Sequence, residues 1–134
     1  MAIRQNGART CVMIVEQDAD FGIKLADWLA VHGYQPVLVR SLDEAIEELS
    51  EISPQVVFVG RGHSEPVAQT GISELLLLIQ TLCPGVPVIT IADQTSEDLT
   101  HVVFRQGVHH ALVKPIEFTQ ISHVLRSELS STSV

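Results

Sequence analysis

Short apolar runs alternate with amphipathic segments along most of the chain. The runs are rich in Val, Ile and Leu and are mostly continuous, which is typical of strands buried on both faces of a parallel sheet. The pattern therefore predicts five strands, at Cys11–Val15, Pro36–Val39, Val56–Val59, Val86–Ile91 and Ala111–Val113.

Each run is followed by a segment in which apolar residues recur at helical spacing. Asp18 is a candidate N-cap of the first helix, and His32-Gly33 ends it. Ser41 and Glu44 form a capping box for the second helix, which Pro54 prevents from continuing. The predicted buried stripes are Phe21, Leu25, Trp28 and Leu29; Leu42, Ala45, Ile46, Leu49 and Ile52; Ile72, Leu75, Leu76, Ile79 and Leu82; Leu99, Val102 and Val103; and Phe118, Ile121, Val124, Leu125 and Leu129.

Five strand–helix units in this order predict an α/β fold of the (βα)5 doubly wound type. Strands that alternate with helices form a parallel sheet with right-handed crossovers and helices on both faces. The usual strand order for five such units is the flavodoxin-like 2-1-3-4-5. We expect one domain over residues 1–134, with its core at about 10–129 and flexible ends at 1–9 and 130–134.

The charge and the hydropathy exclude several classes of function. The net charge is −8, which argues against a nucleic-acid surface and favours basic or neutral protein partners. No apolar run reaches the ~18 residues of a membrane span, and no signal peptide is evident, so a cytoplasmic domain is expected. Cys11 and Cys83 lie in apolar surroundings and are interpreted as isolated buried thiols.

In doubly wound folds ligands bind beyond the carboxyl ends of the strands. In this sequence, polar or small residues directly follow four predicted strands. These groups are Glu16-Gln17-Asp18, Gly60-Arg61, Ala92-Asp93 and Lys114-Pro115.

The arrangement resembles the CheY-like receiver domain of bacterial response regulators. The resemblance covers about Thr10 to Leu129 and is carried by Val12–Asp18, Pro54–Gly60, Pro87–Ala92, and Gly107 followed by Val113-Lys114-Pro115. It implies a role in two-component phosphorelay signalling. It also implies five site positions: an acidic pair that holds magnesium after strand 1, a phospho-acceptor aspartate at strand 3, a Ser/Thr after strand 4, a switch aromatic on strand 5, and a Lys after strand 5.

The sequence departs from this pattern at most of the site positions. Gly60 occupies the acceptor position, Gln17 replaces one acid of the pair, Ala92 replaces the Ser/Thr, and Ala111 replaces the switch aromatic; Lys114 is retained. We therefore expect a degenerate receiver that has no catalytic residue and no cofactor and is not an enzyme. Glu16 alone cannot supply the oxygen ligands that magnesium requires, so no metal is expected.

These expectations favour a phosphorylation-independent protein-interaction module. Its partner would be a histidine kinase, an output domain, another regulator or a second copy of the chain. Receivers commonly dock through the face formed by their fourth helix, fifth strand and fifth helix. In this chain that face contains Val103, Gln106, Ala111, Leu112, Glu117 and His123.

Two alternatives stay open at this point. One is a regulatory domain that binds a small ligand or an anion near Arg61 and Lys114, in the lengthened segment from Gly60 to Gly71. The other is a receiver phosphorylated at an unorthodox residue such as Asp93 or Ser64. Solvent-exposed roles are expected for Glu16 and Asp18 at the start of the first helix, and for His109-His110 in a loop.

Overall fold

The computed structural model describes residues 10–16, 18–61, 66–92, 110–113 and 116–130. In chain order the elements are β1 Cys11–Val15, α1 Ala19–Val31, β2 Gln35–Val39, α2 Leu42–Glu51, β3 Val56–Arg61, α3 Pro66–Leu82, β4 Val88–Ala92, β5 His110–Val113 and α4 Phe118–Ser130. The fourth predicted helix, with Leu99, Val102 and Val103, lies outside the described residues.

The five strands form one parallel sheet of order β2-β1-β3-β4-β5. This confirms the predicted fold class and strand order. β1 lies between β2 and β3, and Val15 is level with Val39 on one side and with Val59 on the other. The point where the chain order reverses therefore lies at the carboxyl ends of β1 and β3, where this fold class binds its ligands.

Alternate strand residues enter two separate apolar clusters, because successive side chains in a strand point to opposite faces. Met13, Val57 and Val59 pack with residues of α2 and α3. Val12, Ile14 and Phe58 pack with residues of α1 and α4. Burial on both faces explains why the strand sequences are continuously apolar.

Local side-chain bonds begin the first two helices where the sequence predicts. The Asp18 carboxylate accepts a hydrogen bond from the Phe21 amide at 3.2 Å. Ser41 Oγ accepts one from the Glu44 amide at 3.1 Å, while Glu44 Oε1 accepts from the Arg40 amide instead of the Ser41 amide. At the end of α1, Gly33 has a φ of 91°, a conformation that glycine adopts without strain.

Several predicted boundaries are wrong, including single-residue differences at the start of β2, the end of β4 and the start of β5. β3 continues through Gly60 to Arg61, because these residues pair in register with Ile91 and Ala92 of β4. α3 already begins at Pro66, so much of the segment interpreted as a lengthened loop is helix. β4 begins at Val88, two residues after its predicted start at Val86.

Other expectations about exposure also need correction. The helical spacing predicts that Leu82 belongs to the buried stripe of the third helix, but Leu82 is 46% exposed at the end of α3. Cys11 and Cys83 are free thiols that are half-buried, not fully buried. No helix in the described part of the chain is long and apolar enough to cross a membrane.

Candidate functional site

The carboxyl ends of β1, β3 and β4 bring Glu16, Gly60 and Ala92 to one edge of the sheet. Glu16 follows Val15, which is level with Val59, so Glu16 and Gly60 occupy neighbouring positions on adjacent strands. Because successive residues of a strand point to opposite faces, Glu16 and Gly60 lie on the same face of the sheet as Ile14 and Phe58, which pack against α1 and α4. The acceptor position that the family resemblance implies is therefore directly beside the glutamate.

Glu16 is a buried side chain, with only 4% of its surface exposed. Its amide donates a hydrogen bond to the Val39 carbonyl at 3.0 Å, which fixes its backbone against β2. Its Oε2 accepts a hydrogen bond from the Asp18 amide, also at 3.0 Å. The expectation of a solvated acid at this position is wrong, since the side chain turns inward across the sheet.

The Glu16 carboxylate occupies the space that a side chain at position 60 would need. A β-carbon on Gly60 would lie 2.5 Å from Glu16 Cδ and 2.7 Å from Oε2. Real β-carbons essentially never approach another heavy atom within 3.0 Å. Gly60 thus provides room for a carboxylate that reaches it from the neighbouring strand.

A second glycine lies on the other side of the Glu16 side chain. Gly22 is buried within α1, and a β-carbon there would lie 3.5 Å from Glu16 Cγ and 2.9 Å from Leu38 Cδ1. The distance to Glu16 Cγ is an ordinary van der Waals contact, so the glycine at position 22 makes room chiefly for Leu38 of β2.

Several predicted site residues lie outside the described part of the chain. These are Gln17, Ser64, Asp93, Lys114, Pro115, and the residues Val103 and Gln106 of the predicted docking face. Arg61 is placed only through its backbone, as the last residue of β3, where it pairs with Ala92. The predicted anion contact of Arg61 and Lys114 therefore stays a prediction.

The described part of the predicted docking face combines half-buried and exposed residues. Ala111 and Leu112 are half-buried in β5, and Leu112 packs against the cluster below α4. Glu117 and His123 are exposed, as is 37% of Val113. The outer surface of β5 and α4 is thus polar, with a small apolar component at the end of the strand.

One polar pair joins residues that the sequence does not connect. The sequence predicts a solvated loop residue at His110, but His110 is the first residue of β5, and its Nε2 lies 2.7 Å from Glu128 Oε2 of α4. The two side chains are 32% and 19% exposed, so the contact is partly shielded from water. The pair joins the edge strand to the last helix across 18 residues of sequence.

The residues that the structure describes do not favour a metal site or a reactive thiol. Among them, no group of three or more His, Cys, Asp or Glu side chains could hold a metal ion. Burial raises the pKa of the Cys83 thiol, and burial together with the negative charge of Glu48 raises the pKa of Cys11. Both thiols are therefore less nucleophilic at neutral pH than ordinary cysteines.

Comparison with known proteins yields structural matches only. No family model matches the chain, and no curated protein matches it. The fold is similar to a two-component response regulator from Clostridium difficile, with a TM-score of 0.81, 17% identity, and coverage of 94% of this chain and 100% of the other. It is also similar to a response regulator from Thermotoga maritima, with a TM-score of 0.81, 17% identity, and coverage of 91% and 98%.

A third similar structure is a CheY-like response regulator receiver domain protein from Methanospirillum hungatei, with a TM-score of 0.80, 17% identity, and coverage of 92% and 96%. These matches span nearly the whole of each chain. At this level of identity they establish the CheY-like fold of the chain and nothing about its chemistry.

Proposed function

We propose that this chain is an atypical receiver domain that acts as a phosphorylation-independent protein-interaction module in two-component signalling. The observation that carries the proposal is the Glu16 carboxylate, which fills the space beside Gly60 at the acceptor position. The fold of the neighbouring structures supports the signalling context by analogy.

Phosphoryl transfer to a carboxylate requires an accessible nucleophile and a cation that stabilises the developing charge. Gly60 offers no nucleophile. Glu16 is the carboxylate closest to that position, but it is 4% exposed and its Oε2 already accepts a hydrogen bond from the Asp18 amide. Ala92 has no hydroxyl with which to contact a phosphoryl group.

The buried carboxylate also bears on the alternative of an anion-binding regulatory domain. An anion placed over Gly60 would lie against the buried Glu16 carboxyl group, which has no positive charge to bind it. A protein partner that docks on the outer surface would not contact this group. The geometry therefore favours docking over anion binding at the strand ends.

We place the docking surface on β5 and α4, with Val113, Glu117 and His123 as its exposed described residues. Ala111 has no ring to reorient, so the surface would not depend on an aromatic switch. Such a surface would be permanently available to a partner. A kinase, an output domain or a second copy of this chain fits this role.

Acetyl phosphate labelling tests the independence from phosphorylation. The purified protein is incubated with acetyl phosphate and Mg²⁺, and its intact mass is measured beside that of an active receiver domain treated identically. We expect a phosphorylated control and no mass increase in this chain. A stable one-phosphate adduct would contradict the proposal, and its location at Asp93 or Ser64 would establish the unorthodox receiver instead.

Light scattering across a concentration series tests the docking surface with a second copy as the partner. Val113→Glu places a charge on β5, while Val31→Glu makes the same substitution on α1, where Val31 is 81% exposed. We expect association that Val113→Glu weakens and Val31→Glu leaves unchanged. Equal effects of the two variants, or a monomer at every concentration, would count against self-association through this surface.

A further inference from the structure

We infer that the contact between His110 and Glu128 holds the edge strand β5 against α4 and thereby fixes the position of the proposed docking surface. The inference deepens the proposed function and rests on it, because that surface spans this strand and this helix. Position 111 has no aromatic side chain that could reorient. The position of β5 then depends on the contacts that join the strand to its neighbours.

β5 has few neighbours in the sheet. Within the described residues it pairs only with β4, at the end of the strand order β2-β1-β3-β4-β5. His110 is level with Ile89 and Leu112 is level with Ile91, and both isoleucines belong to the apolar cluster that contains residues of α1 and α4. His110 and Leu112 therefore point to the α4 side of the sheet.

The chemistry of the two side chains suits a direct hydrogen bond. A carboxylate only accepts, so Nε2 of His110 carries the hydrogen that it donates to Glu128 Oε2 at 2.7 Å. This distance is typical of a hydrogen bond with a charged group. The side chains are 32% and 19% exposed, so water competes for the bond less than it does at an open surface.

The position of Glu128 in its helix adds a reason for the contact. Glu128 lies close to the end of α4 at Ser130, and the last turn of this helix has no basic residue. The unpaired carbonyl groups give this end of a helix a partial negative charge, which disfavours a carboxylate. A donor that reaches Glu128 from β5 offsets this cost.

The contact also bears on the direction of Val113. Val113 is three residues after His110 in the strand, so its side chain points to the opposite face of the sheet. Rotation of β5 about its long axis would redirect Val113 relative to Glu117 and His123. Pairing with β4 holds only one edge of the strand, whereas the bond from His110 to Glu128 opposes this rotation from the α4 side. The pair therefore acts by positioning the docking surface.

A double-mutant cycle in urea measures the contact. His110→Ala is made in the wild type, in Glu128→Ala and in Glu128→Gln, where the amide keeps an acceptor oxygen and the shape of the side chain. Glu74→Ala is the matched control background, since Glu74 is an exposed glutamate of α3. A loss that comes only from replacing histidine in a strand is the same in every background and cancels in the cycle.

We expect His110→Ala to lower the ratio of folded to unfolded protein by a factor about threefold or more larger in the wild type than in Glu128→Ala. The effect in Glu74→Ala should equal that in the wild type, and the effect in Glu128→Gln should be intermediate. Equal effects in the wild type and in Glu128→Ala would overturn the inference.

Amide hydrogen exchange separates a local role from a general loss of stability. Ser41→Ala removes the N-cap of α2, on the other face of the sheet, and should lower the ratio of folded to unfolded protein by about fivefold. We expect His110→Ala to accelerate exchange of the protected amides of β5 and Ser41→Ala to leave them unchanged. Similar acceleration in the two variants would overturn the inference.

Reversing the pair tests positioning against direct contact with a partner. The double variant His110→Glu with Glu128→His keeps a donor and an acceptor and places the histidine where the helix end favours it. We expect its stability and its self-association in light scattering to be close to wild type, whereas His110→Ala weakens both. Restored stability without restored self-association would show that the side chains contact the second copy directly, and would overturn the positioning role.

The cycle and the tests of the proposed function fail separately. If the wild type takes up phosphate while the cycle and the exchange rates show coupling, the proposed function is wrong and the contact between β5 and α4 is confirmed. If the wild type stays unlabelled and associates through Val113 while His110→Ala and Glu128→Ala are additive, only the present inference is wrong.

Discussion

Leu76 and Leu77 offer a sharp test of how α3 packs against the sheet. They are adjacent in sequence and identical in chemistry, but Leu76 is 1% exposed and Leu77 is 65% exposed. Leu76 belongs to the apolar cluster that contains Val57 and Val59 of β3, the strand that ends at Gly60 and Arg61. The orientation of α3 thus determines which of its side chains pack against β3, the strand that contains Gly60 of the candidate site.

The cost of Leu76→Ala follows from its burial. The substitution removes three carbon atoms, and each buried methylene contributes ~0.8 kcal/mol. The cavity left behind adds to this loss, and Leu-to-Ala substitutions in cores typically cost about 2–5 kcal/mol. We therefore expect Leu76→Ala to lower the free energy of unfolding by about 3 kcal/mol. Leu77→Ala should change it by less than about 0.5 kcal/mol, because the side chain is largely in water already.

Urea denaturation followed by circular dichroism measures both effects. With an m-value of about 2 kcal/mol per molar urea, the transition midpoint of Leu76→Ala should fall by about 1.5 M. The midpoint of Leu77→Ala should stay within ~0.3 M of the wild type. Similar midpoints for the two variants would refute the described orientation of α3, since one helix face cannot bury both residues equally.

Two further predictions follow from local contacts. Ser41→Ala removes the Oγ that accepts the Glu44 amide and should cost ~1 kcal/mol of unfolding free energy in urea. Ser50→Ala in the same helix, where Oγ only donates to the Ile46 carbonyl, should cost less, and a larger loss there would contradict this account. Because the pKa of both thiols is raised, iodoacetamide should label native Cys11 and Cys83 more slowly than in the urea-unfolded chain at mildly alkaline pH. Glu48→Gln should accelerate only Cys11, and equal acceleration at Cys83 would argue against the charge effect.

The raised thiol pKa values also determine whether the stability of the folded protein rises or falls with pH. A thiol whose pKa is higher in the folded state favours folding while it is protonated. This contribution is present below the ordinary thiol pKa and is lost as the pH rises through the folded-state pKa. Stability should therefore decline at alkaline pH, and replacing both cysteines with alanine should reduce that decline.

Local interactions explain why much of the fold could be predicted. The bonds from Asp18 to Phe21 and from Ser41 to Glu44 join residues three apart, so the sequence displays both partners together. Continuous Val and Ile runs can be buried only in a sheet that is covered on both faces. These two kinds of signal indicate the α/β class, and the strand order was then expected from the usual arrangement of five such units, since right-handed crossovers permit few others.

Tertiary contacts explain where the prediction failed. Gly60 and Arg61 have the local appearance of a turn, yet pairing with Ile91 and Ala92 draws them into β3. Strand propensity depends on such neighbours more than on the residue itself. Likewise, the pairing of His110 with Glu128 depends on β5 and α4 lying side by side, and neither residue indicates its partner in the sequence.

The geometry also connects a retained position of the receiver pattern with a changed one. Glu16 matches an acidic position of that pattern, while Gly60 departs from it at the acceptor position. In the structure the glutamate carboxylate fills the volume beside the glycine, so a side chain at position 60 would require the end of the glutamate side chain to move. The two residues are 44 positions apart on separate strands, and only the register of β1 with β3 brings them together.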